Sequence, residues 1–442
     1  MTTFAIALIL FAVTYVLLFA LPKFRALTAF ISAVVFSLWL SLLCKEVEFG
    51  LGDVFGAIDF NVLMMIAGTM GIVSLFIESR MPMQIADVLL SKFKNVKSAI
   101  VAMALLAGIV SAFVDNVATV LMIAPIALAV CKKQGISPVA PIISIAISSN
   151  LQGAATLVGD TTSILLGGYA DMTIFDFFVF KGRPSIFWAV ELGALLTAFI
   201  LLWLFRKETQ PLRLSEKTEV TDYVPSALMI GVIVCLILAS FLKEPAADSA
   251  WLTVYNLRNG LICMALLAIG LAVNICRTGN LKSLRLVGTE MDYQTLLLLA
   301  SLFVVIQGIT SAGVIKKLSE LLVEWGGDNL FLMYTIIVFA SVVISAFVDN
   351  IPYVLTMLPV VEAVAAGMGV TPYVLYFGLL VGATLGGNIT PIGASANITG
   401  IGILRKEGYE VKARDFMKIS VPFTLTAVLS GYLLIWLVWG IF

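Results

Sequence analysis

The hexapeptide Ser-Ala-Phe-Val-Asp-Asn at 111–116 recurs letter for letter at 345–350, an offset of 234 residues. Holding that offset without a gap pairs Pro125 with Pro359, Gly135 with Gly369, Pro138 with Pro372, Gly153 with Gly387, Thr156 with Thr390 and Gly159 with Gly393. Identities sustained in one register mark an internal duplication, so whatever one half folds into, the other must also build. The halves read as 1–206 and 224–442, joined by a polar linker at 207–223.

The solvent of this fold follows from composition. Apolar residues make up 61% of the 442 and charged residues 12%, with a mean hydropathy of +1.07. Such a chain belongs in a lipid bilayer. Its 27 basic and 27 acidic residues cancel, leaving no electrostatic footprint for nucleic acid. There is no histidine, so a transferred proton must ride on Asp or Glu. The five cysteines lack metal-ligand spacing and read as small apolar residues. The apolar stretch from Thr3 to Leu21 lacks a basic leader region and reads as a retained span.

A spanning helix needs roughly 20 apolar residues. Runs of that kind centre on 3–21, 26–43, 60–78, 185–205, 224–242, 254–275, 293–311 and 420–442. Four further stretches, 98–131, 138–170, 329–365 and 372–404, are longer and are interrupted by Asp, Asn, Gly or Pro. Irregular backbone at membrane depth is tolerated only where protein or a water-filled cavity surrounds it. The expected architecture is therefore all-α and membrane-integral, with ten crossings and two re-entrant hairpins. In the first half the hairpin is 98–131 and the broken crossing 138–170; in the second they are 329–365 and 372–404.

Five crossings per half is an odd number, which inverts the second half. Sorting Lys and Arg by this topology puts 20 on one side and 7 on the other, the latter being Lys45, Lys181, Arg183, Lys243, Arg258, Lys316 and Lys317. Basic residues concentrate in cytoplasmic loops. Both termini are thus expected outside and the linker in the cytoplasm.

Inverted repeats with paired discontinuous elements point to a secondary transporter whose site lies near the midplane. In the first half the candidates are Asp115, Asn116 and Thr119 at the hairpin tip, then Asn150, Thr156, Asp160, Thr162 and Ser163 in the broken crossing. In the second half they are Asp349 and Asn350, then Asn388, Thr390, Ser395 and Asn397. Gly153, Gly159, Gly386, Gly387 and Gly393 are expected to let the backbone unwind. Freed carbonyls with Asn, Thr and Ser oxygens suit Na⁺, most directly at Asn116, Asn150, Asn350 and Asn388. Each Asp also suits a helix N-cap. An Asp in an apolar stretch nevertheless costs on the order of 2.5 to 3.5 kcal/mol, and Ser would cap at lower cost. Asp160 has no counterpart acid, since Ala394 occupies that position. Asp59 and Asp292 stand at helix starts, where capping explains them as well as transport does.

These motifs, Asp115-Asn116 with Asn150 to Asp160 and Gly386 to Asn397, resemble the ArsB/NhaD permeases of the ion transporter superfamily, closest to its P protein (pink-eyed dilution) type. The resemblance implies a homodimer working by an elevator-like motion in a plasma membrane of prokaryotic type, without a cofactor other than a coupling ion. Members export arsenite, exchange Na⁺ for H⁺ or cotransport carboxylates. No basic residue lies in the motifs to offset the three acids, which favours Na⁺/H⁺ antiport over Na⁺-coupled symport of a dicarboxylate or citrate-like anion, or arsenite-type efflux. No nucleophile–base pair or nucleotide-binding motif suggests an enzyme.

Overall fold

The computed structural model describes residues 3–44, 49–212, 218–246, 248–249, 251–327 and 329–441. Lys45, Arg213 and Lys217, which enter the basic-residue sorting, lie outside them. The protein is an all-helical, multi-pass integral membrane protein. Among the described residues nine helices are long and apolar enough to cross a bilayer, or up to ten if one bent pair is a single span. Seven correspond to uninterrupted runs in the sequence. The eighth run, around 224–242, forms only the 16-residue helix Val224–Ala239. The remaining two long helices, Asn116–Gln134 and Asn350–Gly367, follow the turns at Asp115 and Asp349, and each carries an internal proline, Pro125 or Pro359. Large apolar side chains such as Val16, Phe199 and Trp203 stay more than half exposed, as suits a surface facing lipid.

The interruptions in the sequence become breaks in the helices. Helix Val96–Ser111 ends at a short turn, and Asp115 caps the next helix at Asn116. Helix Val139–Gly153 stops, and the chain restarts at Thr161–Tyr169. The second half repeats this: Leu330–Ser345 and Asn350–Gly367 flank one tip, while Tyr373–Leu380, its continuation to Leu385, and Ser395–Lys406 flank one break. Gly135 and Gly369 follow helices Asn116–Gln134 and Asn350–Gly367 with a left-handed φ of 67°, a conformation glycine adopts without strain.

Each half packs on the other in the same way. Helix Arg25–Leu38 lies along Tyr293–Ser311, and Arg258–Thr278 lies along Phe60–Glu78. Small residues allow the close approach. A Cβ on Gly68 would stand 2.6 Å from the Cys263 backbone, and one on Gly308 would stand 3.0 Å from the Phe36 ring.

Loop contacts fall into two groups. Thr221 N donates to the Ser79 carbonyl, Lys97 N to that of Glu208, and Thr218 N to Asp87 Oδ2 at 2.8 Å. Ion pairs join Arg277 to Asp222 and Lys282 to Glu78. Elsewhere Lys181 Nζ donates to Tyr373 Oη, Arg183 to the Val438 carbonyl, and the Phe175 and Phe241 rings meet. The first group holds the linker with loops carrying many basic residues; the second gathers loops with few.

Candidate functional site

The tip of each half is tied to the break of that half by one duplicated bond. The Thr156 hydroxyl donates to the Ala112 carbonyl, and the Thr390 hydroxyl to that of Ala346. Ser163 Oγ donates to the Gly153 carbonyl at 3.4 Å, while Asn397 Nδ2, at the equivalent position, donates to those of Gly387 and Thr390 at 3.1 Å. The glycines stand where the helices break, and they also make room there for close packing. None of Gly153, Gly159, Gly386, Gly387 and Gly393 has a left-handed φ. A Cβ on Gly159 would lie 2.5 Å from the Gly153 carbonyl oxygen and 2.7 Å from that of Ser111; on Gly393 it would lie 2.6 Å from the Gly387 oxygen and 2.7 Å from that of Ala346. They permit backbone to pack on backbone.

The two breaks also join each other. Asn116 Nδ2 donates to Asn150 Oδ1 at 3.0 Å; Asn150 Nδ2 donates to Asn388 Oδ1 at 3.1 Å and to the Thr384 carbonyl at 2.8 Å. Asn388 Nδ2 donates to the Ile147 carbonyl at 2.9 Å. The Thr162 and Thr384 hydroxyls are 2.9 Å apart. All of these side chains are buried. Tips and breaks thus form a single hydrogen-bonded block, with buried polar groups satisfied as an apolar surrounding requires. Ser111 Oγ, Gln152 Oε1 and Asn397 Oδ1 are exceptions, being buried without a hydrogen-bond partner among the described residues.

A cavity of about 340 Å³ opens beside this block, against helices Phe60–Glu78 and Tyr293–Ser311. Asp115, Asn116, Asp160, Asn350 and Ser395 line it, as do Glu290 and Asp292, and no Lys or Arg is among its lining residues. Thr119, Asn150, Thr156, Thr162, Ser163, Asn388, Thr390 and Asn397 do not line it and are nearly inaccessible.

Asp160 is 4% exposed; its carboxylate accepts from Thr161 N at 2.8 Å and Thr162 Oγ1 at 2.9 Å. Asp115 accepts from the backbone N–H groups of Val117 and Ala118. Both therefore cap helices. Yet the equivalent helix at Ser395 starts from Ala394 with no side-chain cap, so a cap alone does not require an acid at 160.

Asp349 corrects the picture of three acids facing one site. It does not line the cavity; it caps Ile351 N and pairs with Arg25, Nη1 to Oδ2, at 2.9 Å. Nor does the sequence reading include Glu290, Arg25 or the lining role of Asp292, which also caps Thr295 N. A signal existed for two of them: Asp59 and Asp292, like Arg25 and Arg258, stand 233 residues apart.

The Citrate transporter family model matches residues 6–382. An uncharacterized transporter of Mycobacterium tuberculosis is 31% identical over 423 residues, covering 91% of this chain and 94% of that protein. The human P protein is 25% identical over 451 residues, covering 86% of this chain and 54% of its own length. Among solved structures, the YdaH transporter of Alcanivorax borkumensis, described as having an unusual topology, shares the fold. Its TM-score is 0.61 at 16% identity, over 95% of this chain and 98% of that one. With this fold, these breaks and a match across most of its length, the chain belongs to the citrate transporter family of the ion transporter superfamily.

Proposed function

We propose that this protein is a secondary active transporter that exchanges Na⁺ for protons through the cavity beside the tip–break block. The observation that carries the reading is the lining itself: Asp115, Asp160, Glu290 and Asp292 without a cationic side chain. In a low-dielectric surrounding, carboxylates attract a cation and repel an anion strongly. Asp160, Asp115 and Asn116 serve as the primary ligands, with Asn350 and Ser395 across the cavity and the Asn397 amide oxygen as a buried acceptor suited to a hard cation. With no histidine in the chain, the carboxylates also carry the exchanged proton.

Each half contributes five crossings and a re-entrant hairpin in inverted orientation. Support comes from the tips, which are bonded to the breaks of the 138–170 and 372–404 segments rather than reaching past them. The loop contacts support the linker and the basic loops sharing the cytoplasmic side, with both termini outside. The block moves as one body against helices Arg25–Leu38, Phe60–Glu78, Arg258–Thr278 and Tyr293–Ser311, within a homodimer.

The family description favours a second reading, symport of a citrate-like anion. Such an anion meets four carboxylates here and enters only after cations have neutralised them.

Purified protein in liposomes holding a pH-sensitive dye separates the two. An inward Na⁺ gradient is expected to drive proton efflux without any organic anion. Proton movement absent at every Na⁺ concentration, together with Na⁺-dependent uptake of labelled citrate, overturns the antiport reading.

A further inference from the structure

Equivalent positions in the two halves have unlike surroundings, and the differences run in one direction. Arg25 and Arg258 head equivalent helices, each packed on a helix of the opposite half. Arg25 reaches the second tip, where it pairs with Asp349 at 2.9 Å. Tyr15 Oη adds a 2.7 Å bond to the Pro352 carbonyl beside it. Arg258 makes no such pair with the first tip. Its Nη1 donates to the Tyr255 carbonyl at 2.9 Å, its guanidinium sits 4.0 Å from that residue's ring centre, and its buried Nε has no hydrogen-bond partner among the described residues. Asp115 faces the cavity instead.

Two further pairs show the same asymmetry. Leu121, on the cavity, is 50% exposed and Leu355, its equivalent, 3%; Ile398, on the cavity, is 48% exposed and Ile164, its equivalent, 3%.

We infer that Arg258 is the counter-ion of Asp115 in a second state, facing the opposite side of the membrane, in which Arg25 has released Asp349. The inference rests on the inverted, moving block proposed above. Because tips and breaks are bonded into one block, motion that carries the first tip toward Arg258 carries the second tip away from Arg25. One tip carboxylate is neutralised in each state and the other is left for the transported cation. An unpaired Asp349 would be a buried uncompensated charge, a strongly unfavourable arrangement, so the second tip leaves Arg25 only where water or a cation replaces it. Arg258 is a positioning residue: by taking Asp115 it removes a ligand from the cation on the releasing side. Two states of similar energy, each biased by its own ion pair, are the requirement for alternating access.

The test uses the full chain in nanodiscs, with the five native cysteines replaced by alanine and either Ile398→Cys or Ile164→Cys as the reporter. The readout is the rate of labelling by a charged maleimide. Arg25→Gln is expected to slow labelling at 398 and speed it at 164 several-fold, whereas Arg258→Gln does the reverse. Arg258→Lys keeps the parental rates, and the double Gln variant brings the ratio back toward them. Asp115→Asn, which removes the same pair from its other end, shifts both reporters in the direction of Arg258→Gln and replaces that variant should it fail to fold. If Arg258→Gln and Asp115→Asn leave both rates within twofold of the parent, or shift them in the direction of Arg25→Gln, the inference is overturned. Labelling requires no Na⁺ transport, so its outcome is separate from that of the liposome assay.

Discussion

Thr156 and Thr390 stand 234 residues apart and make the same bond, each hydroxyl donating to the carbonyl of the residue just past a helix end, Ala112 after Val96–Ser111 or Ala346 after Leu330–Ser345. Both side chains are nearly inaccessible, so the carbonyls have no water to turn to. Leaving a buried acceptor unsatisfied costs about 1–3 kcal/mol. Thr156→Val and Thr390→Val are each expected to lower the Tm of the detergent-solubilised protein, while Thr→Ser at either position largely preserves it. Equal melting of the Val and wild-type proteins would show that the tips are held by something else.

Gly159 and Gly393 set a stricter limit, because at each an added methyl would meet three backbone carbonyl oxygens within 2.5–2.8 Å. Backbone yields less readily than a side-chain end, and overpacking typically costs 1–3 kcal/mol, roughly, or more. Gly159→Ala and Gly393→Ala should sharply reduce the monodisperse yield from membranes. Gly402→Ala, where an added Cβ meets nothing beyond its own helix turn within 4 Å, serves as the control and should express normally.

How far the sequence reveals this arrangement depends on the kind of interaction. Interruptions of an apolar run by Asp115-Asn116 or Asp160 are local, and the bilayer makes them expensive, and helices end and restart at these positions. The duplication then locates the second set. The pairing of Arg25 with Asp349 spans 324 positions and depends on how two helices are positioned in space, which no local periodicity encodes. Asp292 is legible as a cap because its partner Thr295 is three residues away; its place on the cavity comes from packing. The glycines of the breaks suggest unwinding; the tight contacts of Gly159 with Ser111 and Ala112, and of Gly393 with Ser345 and Ala346, are visible only once the chain has folded.

Orientation in the membrane has its own test. The linker residue Thr218 sits against Asp87, near loops rich in basic residues. With the native cysteines removed, Thr218→Cys should resist an impermeant maleimide added outside intact cells and react in inverted vesicles. Rapid external labelling would reverse the proposed sidedness, leaving the fold unchanged.

The acids decide the mechanism. Asp115, Asp160 and Asp349 all accept backbone N–H bonds as caps, so substitution must separate capping from charge. Asn is close in size to Asp and caps comparably; Asp→Asn therefore removes the titratable group while retaining the helix start. If Na⁺ and H⁺ compete for one site at Asp160, the proton-bound form dominates below that carboxyl's pKa and must be displaced before Na⁺ binds. The apparent KM for Na⁺ then rises about tenfold per pH unit as the medium is acidified below that pKa, and flattens above it, as one-proton competition requires. Asp160→Asn is expected to fold with an unchanged elution profile but lose Na⁺-driven proton movement, and Asp115→Asn to weaken Na⁺ affinity at all pH values. Asp349→Asn acts differently, because Asp349 is paired with Arg25 rather than facing the cavity. Its loss should alter the balance between the two facing states and hence the maximal rate, with a smaller effect on Na⁺ affinity. If Asp160→Asn and Asp115→Asn, both well folded in liposomes, exchange Na⁺ for H⁺ with wild-type rate and pH profile, these carboxylates are caps alone and the coupling resides elsewhere.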